Sequence, residues 1–280
     1  MTHDAPHVLL VQVRRPDDPM ALHEHHCIRR RLHGHWFNLR VHNAFTDTPS
    51  SDWLRGVDAM IIGGSGSFGV YDAPSEAWLS GFRGLIEGAL VRDVPSFGIC
   101  FGHQILGYHL GSRVEARPDK SEVGTVSFEL TDAGASDPLF GTLPRRFVAQ
   151  TGHGDHVVEL PQGAQLLARN EVLDTQAFRV EGSRFFSAQF HPDLSGAEAR
   201  ERWLAVKHPH LSPEQSKAHP APFREERDHA EPLLGQFLSL ALGAHSARED
   251  ASRPALGPAE ASPGPTAARS APSDADTVGL

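Results

Sequence analysis

The sequence predicts an α/β fold: a mainly parallel central sheet flanked by helices, with a small antiparallel extension. Three observations carry this expectation. Through the first hundred residues, short continuous apolar runs alternate with helix-length stretches, the pattern of strands buried on both faces and joined by crossover helices. After Gly111 the apolar runs shorten and alternate with polar residues, as in antiparallel strands with one solvated face. Glycines follow two of the early runs, at the carboxyl edge where open α/β sheets bind ligands.

The elements follow in order. Residues 8–13 (VLLVQV) read as the first strand, and a polar helical stretch runs from about residue 19 to 33. Residues 37–41 and 57–62 give two further strands, the second ending on Gly63-Gly64-Ser65-Gly66. A helical pattern over residues 75–92 leads into a fourth strand at 94–99. Residues 125–130, 146–150, 165–168 and 185–189 are the candidates for antiparallel strands. Residues 197–207 and 230–242 read as helices. From Ala244 to Leu280 no aromatic residue occurs, and Ala, Pro, Ser and Gly dominate. Such a segment buries too little apolar surface to offset its chain entropy. The domain boundary is therefore expected at residue 243, with 244–280 a disordered tail.

Composition removes several function classes. Twenty-six Lys and Arg stand against 35 Asp and Glu, a formal net charge of -9, which argues against a nucleic-acid partner. No apolar run approaches the roughly 20 residues of a membrane span, so no membrane association is expected. The opening Met1-Thr2-His3-Asp4 lacks a basic region followed by an apolar core, so no signal peptide is expected. The two cysteines, Cys27 and Cys100, are too few for a disulfide scaffold and point to a reducing cytoplasm.

The sharpest local feature is Phe97-Gly98-Ile99-Cys100-Phe101-Gly102-His103-Gln104. A strand enters, a helix leaves, and glycines stand two before and two after the cysteine. That is the geometry of a nucleophile elbow, a strained turn that exposes its central side chain. A helix N-terminus also favours a thiolate. The bland alternative is a buried cysteine in a glycine-containing turn. A thiol nucleophile needs a base, and the base an orienting acceptor. With 18 histidines, context must choose. The apolar run at 185–190 delivers His191, and Asp193 lies two residues on, although His-Pro-Asp is in itself an ordinary turn.

Four segments together resemble the class I (triad) glutamine amidotransferases, in particular their GMP-synthase-like glutaminase branch. They are Ile61-Ile62-Gly63-Gly64-Ser65-Gly66-Ser67, Gly98-Ile99-Cys100-Phe101-Gly102-His103-Gln104, Gly152-His153-Gly154-Asp155 and Gln189-Phe190-His191-Pro192-Asp193. They occur in the family's order and at similar spacing. The resemblance implies a flavodoxin-like fold and cleavage of the glutamine side-chain amide through a γ-glutamyl thioester. By the same resemblance Cys100 is the nucleophile and His191 the base and acid. Asp193 stands where the family usually has glutamate, one methylene longer. The amides of Gly64 and Phe101 would form the oxyanion hole. Gln104 would contact the amino-acid part of glutamine, and Gly154 and Asp155 would close over it.

The half-reaction asks for no metal or organic cofactor. Nothing after Leu194 resembles the synthetase part of a complete GMP synthase, so the expected partner is a separate synthetase that receives ammonia. A stand-alone γ-glutamyl hydrolase or peptidase is the second reading, and a non-catalytic binding protein the third. His23-Glu24-His25-His26-Cys27 offers His and Cys on one helical face, but no second group at zinc spacing. A solvated polar face is the expectation there. His208-Pro209-His210 reads as a turn, Gly63-Gly64-Ser65-Gly66 lacks the ending of a phosphate loop, and Trp53, Trp78 and Trp203 read as packing residues.

Overall fold

The computed structural model describes residues 5–66, 68–205, 223–224 and 228–252. Ser67, the 208–210 turn and everything from 253 onward lie outside the described residues. Strands β1 (His7–Gln12), β2 (Asn38–Asn43), β3 (Ala59–Ile62) and β4 (Ser96–Ile99) come first, with helices α1 (Met20–Arg31), α2 (Glu76–Val91) and α3 (Phe101–His109) between and after them. Then come β5 (Val114–Ala116), β6 (Glu122–Leu130), α4 (Asp132–Ser136), β7 (Arg146–His153), β8 (Asp155–Val157), β9 (Ala164–Arg169), β10 (Ala177–Val180) and β11 (Phe185–Ala188). Helices α5 (Gly196–Ala205) and α6 (Leu233–Ser252) complete the described chain.

Nine strands form one sheet in the order β2-β1-β3-β4-β11-β10-β9-β6-β7, and β5 and β8 form a separate antiparallel pair. The pairs β1–β2, β1–β3, β3–β4 and β4–β11 are parallel; the pairs onward from β11 are antiparallel. This is the flavodoxin-like strand order, with β11 as its fifth strand. The 185–189 run therefore corrects the expectation of a purely antiparallel strand. Phe185, Phe186 and Ala188 are all buried, and a strand covered on both faces suits the parallel core.

Period-two side-chain alternation divides the core between the two faces of the sheet. Val8 and Leu10 of β1 pack with Ile28 and Leu32 and with Leu233, Leu234, Phe237 and Leu238 of α6. Leu9 and Val11 pack with Trp78, Phe82, Leu85 and Ile86 of α2 and with Phe101, Ile105 and Leu106 of α3. Helix α2 starts where the Ser75 hydroxyl accepts from Trp78 N–H at 3.2 Å, an N-cap worth about 1 kcal/mol. Its apolar positions recur at helical spacing, and each large side chain so buried contributes about 1.5–3 kcal/mol.

The last helix runs to Ser252, past residue 243 where composition put the boundary. Ala-rich sequence is a good helix former, so an existing helix extends into it.

Candidate active site

Three parallel strands end side by side, and each delivers one part of the site. Beyond β4, Cys100 takes φ +51°, ψ −98°, a conformation that costs a side-chain-bearing residue about 1–3 kcal/mol. The turn is held by its backbone: Cys100 N–H donates to Ala188 C=O at 2.8 Å, and Gln104 N–H donates to Cys100 C=O at 3.0 Å. The flanking glycines have a steric cause. A Cβ on Gly98 would stand 2.6 Å from the Gly102 carbonyl oxygen, and one on Gly102 would stand 2.4 Å from that of Ile62. Only glycine lets α3 start this close to β3 and β4.

Beyond β11, Phe190 is wedged against Phe128 and Phe147, and His191 N–H donates to Gln150 C=O at 2.8 Å. The imidazole is fixed from both sides. Nδ1–H donates to Asp193 Oδ1 at 2.9 Å, and the Cys100 thiol lies within hydrogen-bonding reach. An ionised acceptor at Nδ1 requires the proton there, which leaves Nε2 for the thiol. Burial on its own would lower the imidazole, but the Asp193 carboxylate outweighs it, and with Cys100 raises His191 to about 9. Asp193 is also buried, which opposes ionisation; Arg202 first, then His191, hold it well below the usual carboxylate range.

Beyond β3, Gly64 lies against both groups. A Cβ there would stand 3.2 Å from His191 Cε1 and 3.7 Å from Cys100 Cβ. Gly63 N–H donates to Val11 C=O at 3.0 Å, so β1 anchors the loop. The Phe101 amide follows Cys100 directly, with its ring in the α2–α3 core.

Cys100, Gln104, Gly154, Asp155 and His191 line one cavity of about 610 Å³. Gln104 Nε2 donates to Asp155 C=O at 2.8 Å and to Gln189 Oε1 at 3.3 Å, and Gln189 Nε2 donates to Cys100 Sγ at 3.6 Å. A buried amide chain thus joins the cysteine to the 154–155 loop. Burial first, then the Asp72 carboxylate, raise Asp155 above its ordinary value. Gln189 belongs to the motif that ends at Asp193, yet nothing in its spacing marks its amide as a partner of Cys100. Arg202, whose Nη2 stands 3.1 Å from Asp193 Oδ2, has no sequence signal either.

The His23–Cys27 face departs from expectation. Glu24 and Cys27 are buried rather than solvated: Glu24 turns to Gln12 and Arg14 at the end of β1, and Cys27 packs with Leu194 and Ala199 where α5 meets α1. Cys27 Sγ is 3.7 Å from His23, and burial, then Asp193, push its thiol up to about 12. Trp78 is a core residue as expected, whereas Trp203 lines the cavity.

Fold and site together define a flavodoxin-like α/β protein with a strained cysteine, a buried histidine and a buried acid at adjacent strand ends. The chain belongs to the class I glutamine amidotransferases, whose family model matches residues 25–208. It is 38% identical over 106 residues to a subunit of the glutamine-hydrolysing GMP synthase of Thermococcus kodakarensis, covering 38% of this chain and 54% of that one. It is 32% identical over 158 residues to the corresponding subunit from Sulfurisphaera tokodaii, covering 56% of this chain and 79% of that protein. The first of these matches thus spans about half of its relative's length. A crystal structure of a glutamine amidotransferase from Thermotoga maritima has the same fold, with a TM-score of 0.61, 20% identity, and coverage of 86% of this chain and 99% of that one. No helix among the described residues is long and apolar enough to cross a membrane.

Proposed function

We propose that the protein hydrolyses the side-chain amide of glutamine and passes the ammonia to a separate synthetase. The observation that carries this reading is Cys100 at φ +51° in a strand-to-helix turn, within reach of an imidazole bonded to Asp193 at 2.9 Å. The Cys100 thiolate attacks the amide carbon, and the carbonyl electrons move onto oxygen, where the Gly64 and Phe101 amides receive the charge. His191 gives its proton to the departing nitrogen, which leaves as ammonia, and a γ-glutamyl thioester remains. Water then attacks the thioester as His191 takes its proton; the thiolate departs and glutamate is released. Asp193 holds the ring and stabilises its charged form. Gln104, Gly154 and Asp155 receive the amino-acid end of the substrate. Residues 1–243 suffice for this chemistry, and a reducing cytoplasm keeps the thiol free. The relatives named as subunits of a GMP synthase support a synthetase partner.

One observation favours a second reading, hydrolysis of larger γ-glutamyl compounds. The cavity of about 610 Å³ carries Leu194, Trp203 and Phe223 on its wall, room and apolar surface beyond what glutamine fills. A panel of glutamine, γ-glutamyl dipeptides and glutathione conjugates, with ammonia and glutamate both measured, separates the two. Equal ammonia and glutamate from glutamine supports the first reading; glutamate without ammonia, from dipeptides alone, supports the second.

A further inference from the structure

We propose that Arg202 is a positioning residue for the His191–Asp193 pair, an inference that rests on the Cys100 thioester reading. Asp193 divides its oxygens. Oδ1 accepts from His191 at 2.9 Å, and Oδ2 faces Arg202 Nη2 at 3.1 Å. Both charged side chains are buried, at 2% and 8% exposure. The guanidinium nitrogens of Arg202 have essentially no accessible surface and no hydrogen-bond acceptor among the described residues. Arg202 lines the cavity with its stem while its guanidinium nitrogens are covered, and Asp193 is its counter-ion within 4 Å among those residues. Removing either partner would strand a buried charge.

The arrangement explains how aspartate serves where the family usually has glutamate. A shorter acid has less reach, so its carboxylate must be held in one orientation. The ion pair with Arg202 on α5 draws Oδ2 to that side and leaves Oδ1 facing the imidazole. It also balances charge. Arg202 and the imidazolium are two cations that share the Asp193 carboxylate. Without Arg202 the carboxylate serves the imidazolium alone and one neighbouring cation is gone, so His191 holds its proton more tightly.

The neighbouring groups do not supply this balance. From α1, burial keeps His23 below its ordinary value and Cys27 well above, so both are neutral near pH 7. Arg31 and Arg30 are committed to Glu198. Glu201 is largely exposed and faces His23.

The test measures kcat and KM for amide hydrolysis between pH 6 and 10.5 in the full chain, with melting temperature alongside. The variants are Arg202→Met, Arg202→Lys, Asp193→Asn and the double variant Arg202→Met/Asp193→Asn. Arg202→Met is expected to lower kcat about 10-fold with KM little changed, and to move the alkaline limb up by about one pH unit. Arg202→Lys restores the limb and most of the rate. The double variant is no slower than Asp193→Asn, because the two residues act in series. An unshifted limb in Arg202→Met, or losses that multiply in the double variant, would overturn the proposal. Arg202→Gln carries the same comparison if the methionine variant does not fold. Retained turnover in Cys100→Ser would instead overturn the underlying thioester reading.

Discussion

Replacing Gly102 by alanine tests the steric basis of the elbow. The added Cβ would stand 2.4 Å from the Ile62 carbonyl oxygen and 3.0 Å from Ile62 Cβ. Both atoms belong to buried β3, so relief requires the first turn of α3 to move outward by about 1 Å. Overpacking of this kind costs about 1–3 kcal/mol. For a domain of this size each kcal/mol lowers the melting temperature by about 2–4 °C, so a drop of about 2–12 °C is expected. The same movement carries Cys100 and the Phe101 amide away from Gly64. A misplacement of about 1 Å at a reacting centre is worth about 100-fold in rate. Gly84→Ala is the control, because nothing lies within 4 Å of its Cβ in the middle of α2. It should raise stability by about 0.5–1 kcal/mol and leave the rate alone. The assay is calorimetry with initial rates of glutamate release. Gly102→Ala with an unchanged melting temperature and an unchanged rate would refute the reasoning.

Three further outcomes are expected. Asp193→Asn removes the charge that stabilises the imidazolium and should slow hydrolysis about 10- to 10⁴-fold, whereas Asp193→Glu keeps most of the rate; near-normal turnover of the asparagine variant in steady-state assays would leave a Cys100–His191 dyad. In the proposed reaction the departing nitrogen takes the His191 proton, and His191 is raised to about 9, so the rate should hold through neutrality and fall above about pH 9; because the folded value exceeds the ordinary 6.5, this ionisation's contribution to stability is complete below that value and lost through pH 9, so the melting temperature should fall less steeply from pH 7 to 10 in His191→Gln than in the parent. Ending the chain after Gly243 keeps Leu233, Leu234, Phe237, Leu238 and Ala241, which are buried in α6; the melting temperature should therefore change by no more than a few degrees, and a larger drop would show that the later residues pack on the domain.

The parallel core was legible because β1 and β3 carry continuous apolar runs that fit strands buried on both faces, while β4 is marked by Phe97 and Ile99. Their ends were legible too, since Gly98 and Gly102 mark a close backbone approach that no other residue permits. Strand β10 (AFRV) was not, because four residues between turns carry too little pattern to register. The direction of β11 was not readable either. An apolar run states that both its faces are covered, not which neighbour it pairs with. Arg202 is the clearest omission at the site. It meets Asp193 only because α5 folds back over the strand ends, and no local spacing encodes that contact. The α1–α5 seam is hidden for the same reason: His23 and Cys27 look polar in sequence, yet they face α5 and the segment before it.

The most direct measurement is mass spectrometry of the protein after reaction with a glutamine analogue that carries an electrophilic ketone in place of the amide. Cys100 and Cys27 are the only two thiols, and they sit in opposite environments. Cys100 lines the cavity beside His191, whereas burial and nearby acids push the Cys27 thiol up to about 12 and keep it protonated. The predicted result is one adduct, on the peptide containing Cys100, lost in Cys100→Ala and protected by glutamine. An adduct on Cys27 with Cys100 unmodified, or glutamine turnover that persists in Cys100→Ala, would contradict it.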